Sequence, residues 1–322
     1  MNTTITRSVI SLATAMLLTA ACSSDGDSNS STAGSGGSSG TAGNAGTAGS
    51  AGTAGSAGTA GSAGEAGAGG NGSSFAPYFH DDFESYPEGA SLSGNQPFDA
   101  AGRTVASTEQ AFRGNGSAKM EIKAGDQGGF GKWGGVIPIS PDLPKGSEVW
   151  VRLQVYWPSA FEFSASPWMK FIRLHNRTGA GDNGGYNDLY VDNANGPNSV
   201  LRTIKEVHDV WAVSDGPPIP RDIWERYEMY LFVDDKAVDQ GGNGRVRIWR
   251  DDTLIFDRTD VPTITEPSGT INSLYLFTYW NNEAPPDNDC YVDDLTIATN
   301  QSPPPNVDAQ GNARIGAWPS SP

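Results

Sequence analysis

Cysteine is nearly absent: Cys22 and Cys290 are the only two in 322 residues. One bridge is the most they allow, so a disulfide framework is excluded. Histidine is almost as scarce, with His80, His175 and His208, and no His/Cys cluster has zinc spacing. Cations are short as well: 21 Lys and Arg stand against 37 Asp and Glu, a formal net charge of −16. Residues 1–75 hold Arg7 against Asp25, Asp27 and Glu65, which leaves −14 on the remainder. That deficit argues against nucleic acid or an anionic membrane surface as partner, since both want a basic field. It leaves carboxylates available for calcium. Helical periodicity is scarce, and residues 23–74 have neither proline nor an aromatic side chain.

What is present falls into four segments. Arg7 opens a short positive region, and Ser8 to Ala21 is apolar but shorter than the roughly 20 residues a membrane span needs. It reads as a signal h-region. The run Leu17-Leu-Thr-Ala-Ala-Cys22 resembles a bacterial lipobox, with Thr19 where leucine is usual. That resemblance implies removal of residues 1–21 and a diacylglycerol anchor on Cys22. Ser23 follows instead of Asp, which implies the outer membrane. An ordinary cleaved signal is the alternative. Cys290 is then expected as a lone buried thiol. Thr-Ala-Gly and Ser-Ala-Gly triplets repeat through residues 41–64, and residues 22–74 as a whole cannot bury a core. A Gly-rich coil of about 53 residues reaches roughly 40 Å, enough to act as a tether. Residues 301–322 form a Pro-rich tail, expected extended, in which Trp318 has no evident role.

Residues 75–300 carry the fold. Apolar and polar residues alternate in short runs separated by Gly, Asn, Asp and Pro, which predicts an all-β, two-sheet jelly roll. Strands are expected at 117–123, 148–157, 168–175, 186–192, 224–233, 244–250, 253–258, 271–280 and 290–298. Arg250 to Thr253 reads as a hairpin turn. Alternation divides each strand into two faces. Val149, Val151, Leu153 and Val155 oppose Trp150, Arg152, Gln154 and Tyr156. Ile172 and Leu174 oppose Phe171, Arg173 and His175. Leu189 and Val191 oppose Asp188 and Tyr190, and Leu274 and Leu276 oppose Tyr275, Phe277 and Tyr279. If these strands are neighbours in one curved sheet, their polar faces form a groove. Rings and planar polar groups suit sugars, so the expected partner is a polysaccharide, engaged by a monomer. Trp168, Trp211 and Trp280 are expected at the groove rim.

Five motifs then carry a resemblance: Asp81-Asp-Phe-Glu-Ser-Tyr86, Lys170-Phe-Ile-Arg-Leu-His175, Trp224-Glu-Arg-Tyr-Glu-Met229, Gly244-Arg-Val-Arg-Ile-Trp249 and Tyr291-Val-Asp-Asp-Leu-Thr-Ile297. Together they resemble concanavalin A-like polysaccharide lyases, in particular the glucuronan-lyase-like group and related fungal cellulose-induced proteins. The resemblance spans about residues 80–298. It implies β-elimination on uronic-acid polymers, or sugar binding where catalysis is lost. It also implies a structural calcium joining the first and last strands, for which Glu84, Asp293 and Asp294 are the candidate ligands. The Glu-x-Asp-x-x-Glu motif of related glucanases is absent, which argues against glycoside hydrolysis in that style.

β-Elimination needs a cation for the uronate carboxylate, a base for the C5 proton and an acid for the leaving oxygen. Arg173 matches the groove arginine of the family, with Arg152 as helper. Either His175 or Tyr190 is the base and Tyr279 the acid, with Asp188 among the groove polar residues. Gln154, Tyr156, Lys170 and Tyr275 are the further substrate contacts. The competing reading is structural: Arg173 and Asp188 form a cross-strand ion pair on a solvated face.

Overall fold

The computed structural model describes residues 75–94, 98, 103–125, 134–163, 168–192, 200–206, 210–214, 216–280 and 286–317, with backbone alone at 168, 200, 204 and 278–280. Cys22, the tether, His208 and Trp318 lie outside them. The strands in chain order are β1 Phe79–Asp81, β2 Thr104–Ser107, β3 Ser117–Ile122, β4 Gly135–Pro144, β5 Glu148–Tyr156, β6 Trp168–Arg177, β7 Asn183–Asp192 and β8 Val200–Lys205. They continue with β9 Val210–Val213, β10 Trp224–Phe232, β11 Arg245–Arg250, β12 Thr253–Arg258, β13 Thr270–Trp280, β14 Asn288–Thr299, β15 Asn306–Val307 and β16 Ala313–Arg314. Every strand that alternation predicts is present, and β11 and β12 pair through the expected turn.

Two antiparallel sheets face each other as a jelly-roll sandwich. The back sheet runs β12-β11-β10-β5-β14-β3-β2, with β1 also on β14. The front sheet runs β4-β13-β6-β7-β8-β9. Val149, Val151, Leu153 and Val155 of β5 meet Ile172, Leu174, Leu189, Leu274 and Leu276 of the front sheet in one buried core. The prolines of β4 hid it from the alternation pattern. Its edge position explains how they are tolerated, because an edge strand has one side without ladder partners.

This strand order corrects the expected groove. β5 belongs to the back sheet, so Arg152, Gln154 and Tyr156 lie across the sandwich from β6, β7 and β13. Their outward face is also largely covered. The tail folds back as β15 and β16, and Trp150, Tyr230, Trp249, Ala298 and Ile315 form a second buried cluster beneath it. Trp150 Nε1 donates to Ala313 O at 2.9 Å, and Trp249 Nε1 to Asp308 Oδ2 at 2.9 Å. Glu228 accepts from the backbone N–H groups of Ile315 and Gly316.

Two of the front sheet's bulges turn phenylalanines inward. Between β6 and β7 the register slips from Lys170↔Tyr190 to Ile172↔Leu189, leaving Phe171 as the extra residue. Phe277 on β13 has φ 48°, and the register there slips from Leu276↔Ile172 to Tyr279↔Lys170. A bulge lets consecutive residues share a face. Strict alternation put Phe171 and Phe277 outside; instead both rings enter the core, 4.8 Å apart and each 5.7 Å from Trp157.

Candidate functional site

The outward face of the front sheet gathers the ionisable residues of β6, β7 and β8. Lys170 stands opposite Tyr190, and Arg173 opposite Asp188, on adjacent strands. The Phe171 bulge sets this up: strict alternation would put Lys170 on the core face, with Ile172. Arg173 Nε donates to Asp188 Oδ1 at 2.6 Å, and the guanidinium carbon lies 3.6 Å from the centre of the Tyr186 ring. Arg173 Nη2 reaches Glu206 Oε2 at 3.3 Å, and Lys170 Nζ lies 4.0 Å from Glu206 Oε1. Arg173 is 1% exposed and Asp188 0%. The cross-strand ion pair is therefore realised, and it is buried.

Burial and pairing pull these groups in opposite directions. Burial acts to lower the Arg173 pKa, but Asp188, Tyr190 and Glu206 more than offset it and the group is held firmly cationic. Burial pushes the Asp188 carboxyl up against the pull of Arg173. At 2.6 Å from a guanidinium, the pair stays ionised. Behind the sheet, Lys205 donates to Thr263 O at 3.0 Å. Burial lowers its pKa to about 8, with Asp188 and Glu206 pulling it back.

His175 sits at the far end of β6 in an aromatic nest, 4.8 Å from Tyr186 and 5.7 Å from Tyr275 between ring centres. Its neighbour Asn272 is best assigned with the amide nitrogen 2.6 Å from Nδ1 and the oxygen accepting from Arg177 Nη2 at 2.9 Å. Nδ1 is then an acceptor, so Nε2 carries the proton and donates to Asn183 Oδ1 at 3.1 Å. Burial lowers the imidazole pKa despite the two amides. Towards the β9 edge, Tyr190 packs on Trp211 at 6.0 Å, and the Arg202 guanidinium lies 5.0 Å from the Trp211 ring centre while pairing with Asp192.

Among the expected residues, Lys170, Arg173, His175, Asp188, Tyr190 and Tyr275 thus share one face, with Trp211 nearby. The backbone of Tyr279 pairs with Lys170, and its side chain, like those of Trp168 and Trp280, lies outside the described residues. Arg152 is fully buried in the back sheet, bonded to Asp294 O, Thr296 Oγ1 and Gly316 O. Gln154 is buried on the same outward face, and Tyr156 packs on Trp224 and Tyr291. Sequence reasoning missed Tyr186, Asn272, Arg202 and Glu206. Tyr186 has the same parity as Asp188 and Tyr190 and was legible. Glu206 follows β8, a strand that the sequence did not reveal.

The candidate calcium ligands are drawn to other partners. Glu84 accepts from the N–H groups of Asn115 and Gly116, at 2.9 and 2.8 Å. Asp293 accepts from Phe112, Arg113 and Asp294 N–H groups. Asp294 has φ 54° within a β14 bulge and pairs with Arg152 at 3.1 Å. Among the described residues no group of three His, Cys, Asp or Glu gathers to hold a metal ion.

No protein-family model matches the chain, and no curated protein matches it. Solved structures do. An alginate lyase, Aly36B, superposes with a TM-score of 0.51 at 16% identity, over 68% of this chain and 95% of that one. The endo-β-1,4-glucuronan lyase of the fungus Trichoderma reesei gives 0.47 at 12% identity, over 69% and 95%. The alginate lyase vAL-1 from Chlorella virus gives 0.47 at 13%, over 63% and 93%. The fold is that of the jelly-roll polysaccharide lyases.

Proposed function

We propose that the domain is a polysaccharide lyase-like protein, cleaving a uronic-acid-containing polysaccharide by β-elimination on the outward face of the front sheet. The observation that carries this reading is the cross-strand placement of Lys170 beside Tyr190, next to the Arg173 group. It puts a proton-transfer residue and positive charge at neighbouring cross-strand positions. Lys170 and Arg173 supply the positive field for the uronate carboxylate. Tyr190 is favoured over His175 as base, because both imidazole nitrogens are held by Asn272 and Asn183. Lys170 is the cross-strand neighbour of Tyr190. Tyr279 remains the proposed acid. The lipid anchor at Cys22, the outer-membrane location and monomeric action belong to the same proposal.

The test is a panel of glucuronan, alginate, pectate, xylan and cellulose, followed by the ultraviolet absorbance of an unsaturated uronate. Tyr190→Phe should lower turnover far more than binding, because proton transfer matters only in the transition state. Unchanged turnover in Tyr190→Phe would remove Tyr190 as base. The burial of Arg173 in an ion pair favours a second reading, a non-catalytic carbohydrate-binding protein on the same face. Retention of a glycan with no unsaturated product would establish that alternative.

A further inference from the structure

The charged residues on the front face are not equally open to solvent. The side chains of Arg173 and Asp188 are 1% and 0% exposed, and that of Lys170 is 7% exposed. Glu206 is different: its side chain is 37% exposed, yet both buried cations point at it. Arg173 Nη2 lies 3.3 Å from Oε2, and Lys170 Nζ lies 4.0 Å from Oε1. Arg173 keeps its short bond to Asp188 through Nε, so Glu206 is held by a different nitrogen of the same guanidinium. A half-exposed carboxylate at these separations is weakly held, because solvent screens it and its side chain loses little by leaving. Asp188, beneath it, is the carboxylate that secures Arg173.

We infer that Glu206 is an internal stand-in for a ligand carboxylate: it occupies the seat between Lys170 and Arg173 that a single uronate carboxylate takes when the glycan binds. This rests on the proposed use of the front face for an acidic glycan and adds what sets its selectivity. The seat accepts one carboxylate at a time, and an acidic sugar must displace Glu206 to reach it. A neutral sugar leaves Glu206 in place. Glu206 thus raises the threshold for acidic chains without contributing to the reaction. Asp188 keeps Arg173 paired throughout the exchange.

Chemical rescue tests the seat separately from any polysaccharide. Glu206→Ala opens it, so sodium acetate or free glucuronate should raise the melting temperature of this variant above a sodium chloride control of equal ionic strength. The wild type should show no such excess, because a ligand stabilises only when it finds a site on the folded state. Acetate and chloride acting alike on Glu206→Ala would overturn the inference. The second arm uses the nearly isosteric Glu206→Gln, titrated with glucuronate oligomers and with xylo-oligosaccharides. Acidic oligomers should bind it roughly two- to fivefold tighter than wild type, the range an exposed ion pair spans, with neutral oligomers unchanged. Weaker or equal binding of the acidic oligomers would also overturn it. If acetate fills the seat but neither protein binds any uronate oligomer, the carboxylate seat stands and the polysaccharide reading falls.

Discussion

Arg173, expected to face a uronate, is also the centre of a buried network. Removing it strands Asp188, fully buried, beside no guanidinium. Breaking a buried pair from one side costs on the order of 3–5 kcal/mol. Arg173→Ala should therefore unfold at clearly lower denaturant, whereas Arg173→Ala with Asp188→Asn should recover part of the loss. Equal midpoints for Arg173→Ala and wild type would show the pair to be dispensable. His175 gives a second expectation at this scale. Its pKa lies below the ordinary 6.5, so its neutral form is favoured in the folded state. The stability it contributes is present above about pH 6.5 and is lost as pH falls through the lowered value. The melting temperature of wild type should fall between pH 7 and pH 5 by more than that of His175→Gln, which cannot gain a proton.

At the scale of elements, the tail and the bulges matter most. Deleting residues 302–322 uncovers Trp150, Tyr230 and Trp249 and takes the Ile315 and Gly316 N–H donors from the buried Glu228. Exposing one large apolar side chain costs about 1.5–3 kcal/mol, and an uncompensated buried carboxylate adds to that. The truncated chain should melt well below the full one, and an unchanged melt would show that β15 and β16 are decoration. The sequence hinted at this cover. Trp150 and Trp249 share outward faces with Arg152 and Arg247, and large rings there need something over them. Alternation found the long strands because their apolar and polar faces are regular. It could not find the bulges at Phe171 and Phe277, since a bulge is fixed by what the extra ring packs against, here Trp157. Nor could it separate β5 from β6. Strand order in an antiparallel sandwich is set by long-range pairing, so Arg152 and Arg173 looked alike though they lie on opposite sides. The residue types of the site were legible; the burial of Arg173 and the role of Glu206 needed neighbours from β7 and β8.

At the scale of the whole molecule, one sheet carries the proposed chemistry and the other is occupied by its own tail. The anchor proposed at Cys22 makes a direct prediction. Cys22→Ala should move the protein from the membrane fraction to the soluble fraction without changing the melting temperature of the domain. Retention of the variant with membranes would remove the lipoprotein reading. The proline-bearing edge strand β4 has a consequence for such a population. Pro138, Pro141 and Pro144 all lie in this edge strand of the front sheet. Each lacks a ladder N–H donor, which weakens regular strand pairing through β4. Where copies are crowded together, an unbroken edge strand is open to pairing with a neighbour's strand. The interrupted one keeps dense neighbours from zipping together, so packing density can rise without aggregation through this edge.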